Sequence, residues 1–337
     1  MRKELEARNF SVLSRALQQA LVMTAAAGEQ AIVLLNRRGY STFVMCRDCG
    51  QTITCPHCAV AMVYHKKNED LRCHYCGNTM PLPQECPNCH SRRIKYFGSG
   101  TQKAEEQLQQ LPEVRVLRMD QDSTVAKFAH ADILRRFADG AANVLIGTQM
   151  VAKGHDIPNV TLVGVLAADS TLHLPDYRAS ERAFSLLTQA AGRAGRGDRP
   201  GHVIFQTYDP DNPILQLAVT QDYDTFAKRE LQERKNYFYP PFAQMLKLQV
   251  VDKDEGAGLA LAQQVVFYLQ RLKLQGKLED LLIAGPFPSL VAKAYDLYRF
   301  NVLLKAQDLK ETKEVLLNSE FKEKPTLYFN VDPVSVI

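Results

Sequence analysis

The 337-residue sequence has no apolar run approaching the ~20 residues of a membrane-spanning helix; a soluble, unexported, cytoplasmic protein with no membrane partner is the expectation. No cysteine lies outside residues 46–89, so disulfides cannot staple most of the chain. A phosphate-binding loop, G-x-x-x-x-G-K-[ST], is missing; Gly276 and Lys277 are followed by Leu278. No early strand ends in an acidic box suited to Mg²⁺. Net charge is small, +4, which tolerates a polyanionic partner without demanding one. What remains is an ordinary globular composition, 46% hydrophobic, long enough for two or three domains.

What is present begins with sulfur. Eight cysteines fall in four C-x2-C units, Cys46/Cys49, Cys55/Cys58, Cys73/Cys76 and Cys86/Cys89. A C-x2-C turn aims two sulfurs at one ion about 2.3 Å away, so four units make two tetrahedral zinc sites. Two units read "CPHC" and "CPNC" and two are followed by glycine, which suits tight knuckle turns. Between Cys58 and Cys73, apolar alternation around "KKNED" predicts a hairpin. That hairpin brings Cys55, Cys58, Cys73 and Cys76 to one ion and leaves Cys46, Cys49, Cys86 and Cys89 for the other, a nested pairing. His57, His74 and His90 are then not needed as ligands. Both ions are expected to be structural, since the segment is too small to bury its own core. Arg47, Lys66, Lys67, Arg72, Arg92, Arg93 and Lys95 offset the thiolate charge or touch phosphates.

Around this window, strand and helix patterns alternate. "EQAIVLL" is a buried strand, and "RIKYF", "VRVLRM", "NVLIG", "VTLVGVL" and "HVIF" repeat the pattern between amphipathic segments. Such alternation predicts βαβ units in a mostly parallel sheet with ligands at the carboxyl ends of its strands. The opening "MRKELEARNFSVLSRALQQAL" reads as one charged amphipathic helix. Residues 237–337, a boundary marked by the Pro240–Pro241 pair, read as strand 244–252, helix 255–274, strand 280–287, strand 291–306, helix 308–318 and strand 325–332. This is the βαββαβ order of a ferredoxin-like α+β domain, with Lys293, Arg299 and Lys305 among Tyr295, Tyr298 and Phe300 on its central hairpin.

Three stretches carry chemistry: "GTQMVAKGHDIPNV" after a strand, "QAAGRAGR" at a helix end, and "GSGT" before a helix. The first two resemble motifs V and VI of superfamily 2 helicases, and "LLNRRGYS" resembles the stretch before them in the second motor lobe. With an eight-cysteine insertion, "YPPFAQMLKL" and "NVDPVSVI", the chain resembles the replication-restart helicases, or primosomal N′ proteins, within that superfamily. The resemblance implies a RecA-like second helicase lobe, residues 1–45 and 90–236, a zinc insertion, residues 46–89, and a DNA- and partner-binding domain, residues 237–337. It implies that Arg193 and Arg196 face ATP as arginine fingers with Gln189 nearby, that Gly154 and Asp156 sense the nucleotide, and that Thr148 and Gln149 lie near single-stranded DNA. Ser99 and Thr101 are expected at a nucleic-acid phosphate. ATP and Mg²⁺ are expected only with a first motor lobe that this chain lacks, so the chain is expected to be a C-terminal piece, inactive alone. The implied work is 3′ to 5′ unwinding of stalled forks and D-loops, with branched and single-stranded DNA, single-stranded-DNA-binding protein and primosome proteins as partners. A zinc-stabilised binding platform with no motor role is the alternative.

Overall fold

The computed structural model describes residues 1–35, 43–65, 68–96, 101–119, 129–148, 157–194 and 199–336. Its first part is built on β1 (Gln30–Leu35), whose six residues are all buried. The chain then leaves the sheet. β2 (Val44–Cys46) and β6 (Ile94–Tyr96) pair antiparallel as the neck of an insertion, and between them β3 (Val63–His65), β4 (Asp70–Arg72) and β5 (Thr79–Pro81) form a small antiparallel sheet. The expectation that 94–96 joins the parallel sheet is thus corrected: its partner is β2.

The main sheet resumes with β7 (Val116–Met119), β8 (Val144–Gly147), β9 (Val160–Leu166) and β10 (His202–Phe205). The five strands lie in the order β10-β9-β1-β8-β7, all parallel. Central strands buried on both faces need helices on both. On one face, α2 (Arg15–Ala26) and α3 (Thr101–Gln109) bury Leu17, Leu21, Ala104 and Leu108. On the other, α4 (Ala129–Ala138), α6 (Ala179–Ala191), α7 (Pro213–Thr220) and α8 (Tyr223–Asn236) bury Phe137, Phe184, Leu187, Ile214 and Phe226; the short α5 (Asp169–Leu172) precedes α6. The opening segment is not one helix. α1 (Arg2–Glu6) stops, and α2 starts afresh where the Ser14 side chain accepts the Leu17 N–H as an N-cap.

The last hundred residues follow β11 (Gln244–Asp252), α9 (Glu255–Leu274), β12 (Leu282–Ala294), β13 (Leu297–Ala306), α10 (Lys310–Leu317) and β14 (Leu327–Val331). The sheet order is β12-β13-β11-β14, antiparallel throughout, the split βαβ arrangement. The turn of the central hairpin falls at Tyr295–Asp296, both at positive φ, later than the composition suggests. Two left-handed residues are what a two-residue hairpin turn with the right twist requires. One face of this sheet packs on α9 and α10.

Its other face meets the cysteine-rich insertion. Met245, Leu303 and Phe287 share one core with Ile53, Val60, Met62, Leu71, Tyr75, Cys55, Cys58 and Cys73. The insertion is therefore the filling between the parallel lobe and the terminal domain. A segment of about forty residues cannot enclose an apolar core alone, and this one completes its core with a neighbour's sheet.

Candidate functional site

The four C-x2-C units fold alike. In each, the first cysteine's carbonyl accepts the N–H of the residue four places on: Gly50 on Cys46 at 3.0 Å, Ala59 on Cys55 at 2.9 Å, Gly77 on Cys73 at 3.0 Å and His90 on Cys86 at 2.9 Å. All four of those residues sit at positive φ, two as glycine and two, Ala59 and His90, in spite of a side chain. The β3–β4 hairpin brings the second and third units together, and the β2–β6 neck brings the first and fourth.

The result is two clusters of four sulfurs, Cys46/Cys49/Cys86/Cys89 and Cys55/Cys58/Cys73/Cys76, with every Sγ within 4.8 Å of the others in its set. Cys46 and Cys89 lie 3.6 Å apart, Cys49 and Cys86 3.5 Å, and Cys55 and Cys76 3.6 Å. A tetrahedral ion with bonds of about 2.3 Å sets sulfur–sulfur edges of ~3.8 Å, whereas a disulfide needs about 2.05 Å. The spacing fits an ion and excludes bridges. Backbone amides add to the fit: the N–H groups of Asp48 and Tyr75 point at the sulfurs of Cys46 and Cys73, each at 3.4 Å. Crowding also shows in the acidities. Hydrogen bonds from Cys58 and Cys73 drive Cys55 far down, while the bond shared with Cys55 pushes Cys73 up to about 12 and Cys58 further. Such a set resists more than one thiolate until a cation neutralises it.

The two clusters differ in surroundings. The Cys55 set lies in the core shared with the terminal domain, whereas Cys89 of the other set is exposed. His74, buried, donates from Nδ1 to the Pro288 carbonyl at 3.2 Å and accepts from His65 at 3.0 Å, so it braces the insertion against β12. Three of the arginines are already paired, Arg72 with Asp70, Arg92 with Glu85 and Arg93 with Asp48; Lys66 and Lys67 lie outside the described residues.

On the lobe side, Gly50 touches Asp209 so closely that a Cβ there would stand 2.6 Å from the Asp209 Cβ, and Arg47 lies over the Tyr208 ring at 5.0 Å. The Tyr75 hydroxyl accepts the Tyr177 N–H at 3.1 Å, and Tyr239, stacked on Tyr177, donates to the Cys58 carbonyl at 2.9 Å. These tyrosines join all three parts; Tyr75 lies inside a C-x2-C unit and Tyr239 opens "YPPFAQMLKL", but nothing in either stretch announces the contact.

Of the residues expected at nucleotide or DNA, the described ones fall at both edges of the parallel sheet. Thr148 follows β8 at its carboxyl end. β9 and β10 are parallel neighbours, so the connection between them returns from the carboxyl edge to the amino edge. α6 makes that return, and it carries exposed Gln189 near its end, Gly192 as its C-cap, and half-buried Arg193 beyond. Arg193 therefore emerges at the amino edge, where Ile157 precedes β9 and Ala194 packs on the lobe core. Arg193 thus lies at the edge opposite the carboxyl ends of the strands, because the helix runs against them. Gln149, Gly154, Asp156, Arg196 and Ser99 lie outside the described residues; Thr101 opens α3. No helix among the described residues is long and apolar enough to cross a membrane.

Comparison with known proteins joins these parts. Residues 55–81 match the family model described as the PriA DNA helicase Cys-rich region domain, 82–198 the helicase conserved C-terminal domain, and 235–334 the primosomal protein N C-terminal domain. The chain is 48% identical to the replication restart protein PriA of Bacillus subtilis over 90% of this chain and 38% of the relative. It is 41% identical to that of Synechocystis over 100% of this chain and 41% of the relative, and 37% identical to that of Treponema pallidum over 97% and 50%. The chain thus spans about two fifths to one half of the curated relatives it matches.

Proposed function

From the premise that the chain belongs to the PriA family, we propose that it forms the second motor lobe, zinc module and terminal domain of an ATP-dependent 3′ to 5′ DNA helicase that remodels stalled forks and D-loops. The observation that carries the reading is α6, which delivers Gln189 and Arg193 to the amino edge of a parallel sheet, in a sequence without a phosphate-binding loop of its own.

In this reading Arg193 and Arg196 stabilise charge on the γ-phosphoryl group as ATP is cleaved. Gln189, Gly154 and Asp156 sense the nucleotide. The companion lobe supplies the lysine and Mg²⁺ cradle. Thr148, at the carboxyl end of β8, and Gln149 meet single-stranded DNA; Ser99 and Thr101 bind a nucleic-acid phosphate. Cys46, Cys49, Cys86 and Cys89 hold one zinc ion, and Cys55, Cys58, Cys73 and Cys76 the other. Each ion supplies a fixed cross-link and neutralises its thiolates. The terminal domain and zinc module meet branched DNA, single-stranded-DNA-binding protein and primosome proteins.

The test is DNA-stimulated ATP hydrolysis by this chain alone and after the companion lobe is restored. The reading expects none in the first case and turnover in the second; turnover by this chain alone contradicts it. A binding platform without a motor role gives none in either.

A further inference from the structure

Helix α6 touches both ends of the proposed machine. Just before its first turn the Asp176 side chain, wholly buried, accepts the Arg178 N–H at 2.9 Å, pairs with the guanidinium of Arg182 in that turn at 3.0 Å and accepts the Ser335 hydroxyl at 2.6 Å. Arg182 also donates to the Val334 carbonyl at 3.0 Å. Val336, one residue past Ser335, is fully buried in the core shared by the zinc module and the terminal sheet. The neighbouring Glu181 pairs with Arg178 and with Arg234 of α8, and Arg234 donates onward to the Pro240 carbonyl at 3.3 Å. Segment 332–336 and the link into the terminal domain are both fastened to one helical turn. Eleven residues after Arg182, roughly 16 Å along the axis, the same helix delivers Arg193.

We propose that Asp176 and Arg182 are positioning residues: by gripping segment 332–336 they tie the zinc module and terminal domain to the helix that carries Gln189 and Arg193. The claim rests on the motor reading for its consequence, but not for its geometry. A helix is stiff along its axis, so a shift of the terminal domain at the carboxyl edge reaches the amino edge through α6, and a change at Arg193 returns the same way. A buried carboxylate with three partners suits this role, because losing one partner leaves a buried charge under-satisfied and the local arrangement either holds or opens.

The experiment compares Ser335→Ala, Ser335→Thr and Arg182→Gln by amide hydrogen exchange on this chain. The same changes are then made in the protein carrying both lobes, where base pairs separated per ATP hydrolysed are measured. Ser335→Ala and Arg182→Gln are expected to speed exchange at residues 187–193 about tenfold while β9 stays protected, and Ser335→Thr, which keeps the hydroxyl, to behave as the parent. In the two-lobed protein the first two variants are expected to hydrolyse ATP within about twofold of the parent but to separate about fivefold fewer pairs per ATP. Faster exchange confined to 176–182 and 334–336, or hydrolysis and strand separation falling together with melting temperature, overturns the proposal. If Arg193→Ala leaves hydrolysis intact, the motor reading fails while the exchange result still decides whether the grip reaches 187–193.

Discussion

Replacing Gly50 by alanine tests whether the first cysteine knuckle is docked on the parallel lobe. Gly50 has φ +77°, and an added Cβ would stand 2.6 Å from the Asp209 Cβ and 3.1 Å from the Asp209 amide nitrogen. Two costs add. A non-glycine residue in the left-handed region costs about 1–2 kcal/mol. Carbon atoms pack at about 3.5–4.0 Å, so the contact must open by about 1 Å; overpacking of that size costs about 1–3 kcal/mol. The sum, about 2–5 kcal/mol, far exceeds an ordinary surface change of ±0.5 kcal/mol. Gly140 is the control, since it has φ +80° and nothing within 4 Å of its would-be Cβ; alanine there incurs the conformational cost alone. Chemical denaturation gives the two stability losses, and amide exchange at residues 46–50 and 208–209 reports the docking. If Gly50→Ala costs no more than Gly140→Ala and the exchange pattern is unchanged, the knuckle does not bear on the lobe.

The two sulfur clusters give a second test: Cys73→Ser is expected to lower the melting temperature far more than Cys89→Ser, because only the Cys73 set sits in the core shared with the terminal sheet. Elemental analysis is expected to fall from two zinc ions per chain to one in either variant; equal thermal losses would contradict the shared core. Tyr239→Phe removes the hydroxyl that satisfies the buried Cys58 carbonyl at 2.9 Å, and denaturant melts should register a loss of about 1–3 kcal/mol. His173 yields a pH dependence. Burial lowers its pKa from 6.5 to about 4, Asp169 opposing, so the folded state keeps it neutral while the unfolded state takes up a proton first. Stability should fall as pH drops from about 6.5 to 4 and then level off, by about 3 kcal/mol from this group. His173→Phe should flatten that part of the pH profile, and an unaltered slope would refute the assignment.

Much of the fold was legible because the signals were local. The hairpin between Cys58 and Cys73 was marked by alternation and a polar turn, and it alone implies nested sulfur sets. The terminal βαββαβ order was equally plain, because each strand and helix keeps its own period over five or more residues. What escaped was whatever depends on two distant segments meeting. Nothing in "CHYCG" announces that Tyr75 will be buried against Tyr239, or that Met245 and Leu303, which alternate like any strand residues, will be covered by a zinc module and not by a helix. The break at Ser14 was hidden because apolar spacing continues across residues 7–14 while a capping hydroxyl ends the register. That Thr148 and Arg193 fall at opposite sheet edges was hidden too: "QAAGRAGR" shows a helix end but not the direction in which the helix runs, which follows only from β9 and β10 being parallel neighbours.

The central claim is that this lobe presents Arg193 to a nucleotide held by a companion domain. Its most direct measurement is DNA-stimulated ATP hydrolysis and fork affinity of Arg193→Ala in the protein carrying both lobes. An arginine finger is worth about 10³-fold or more in turnover, so hydrolysis should fall by that order while fork affinity holds. Undiminished hydrolysis, or a matching fall in DNA affinity, would contradict the account.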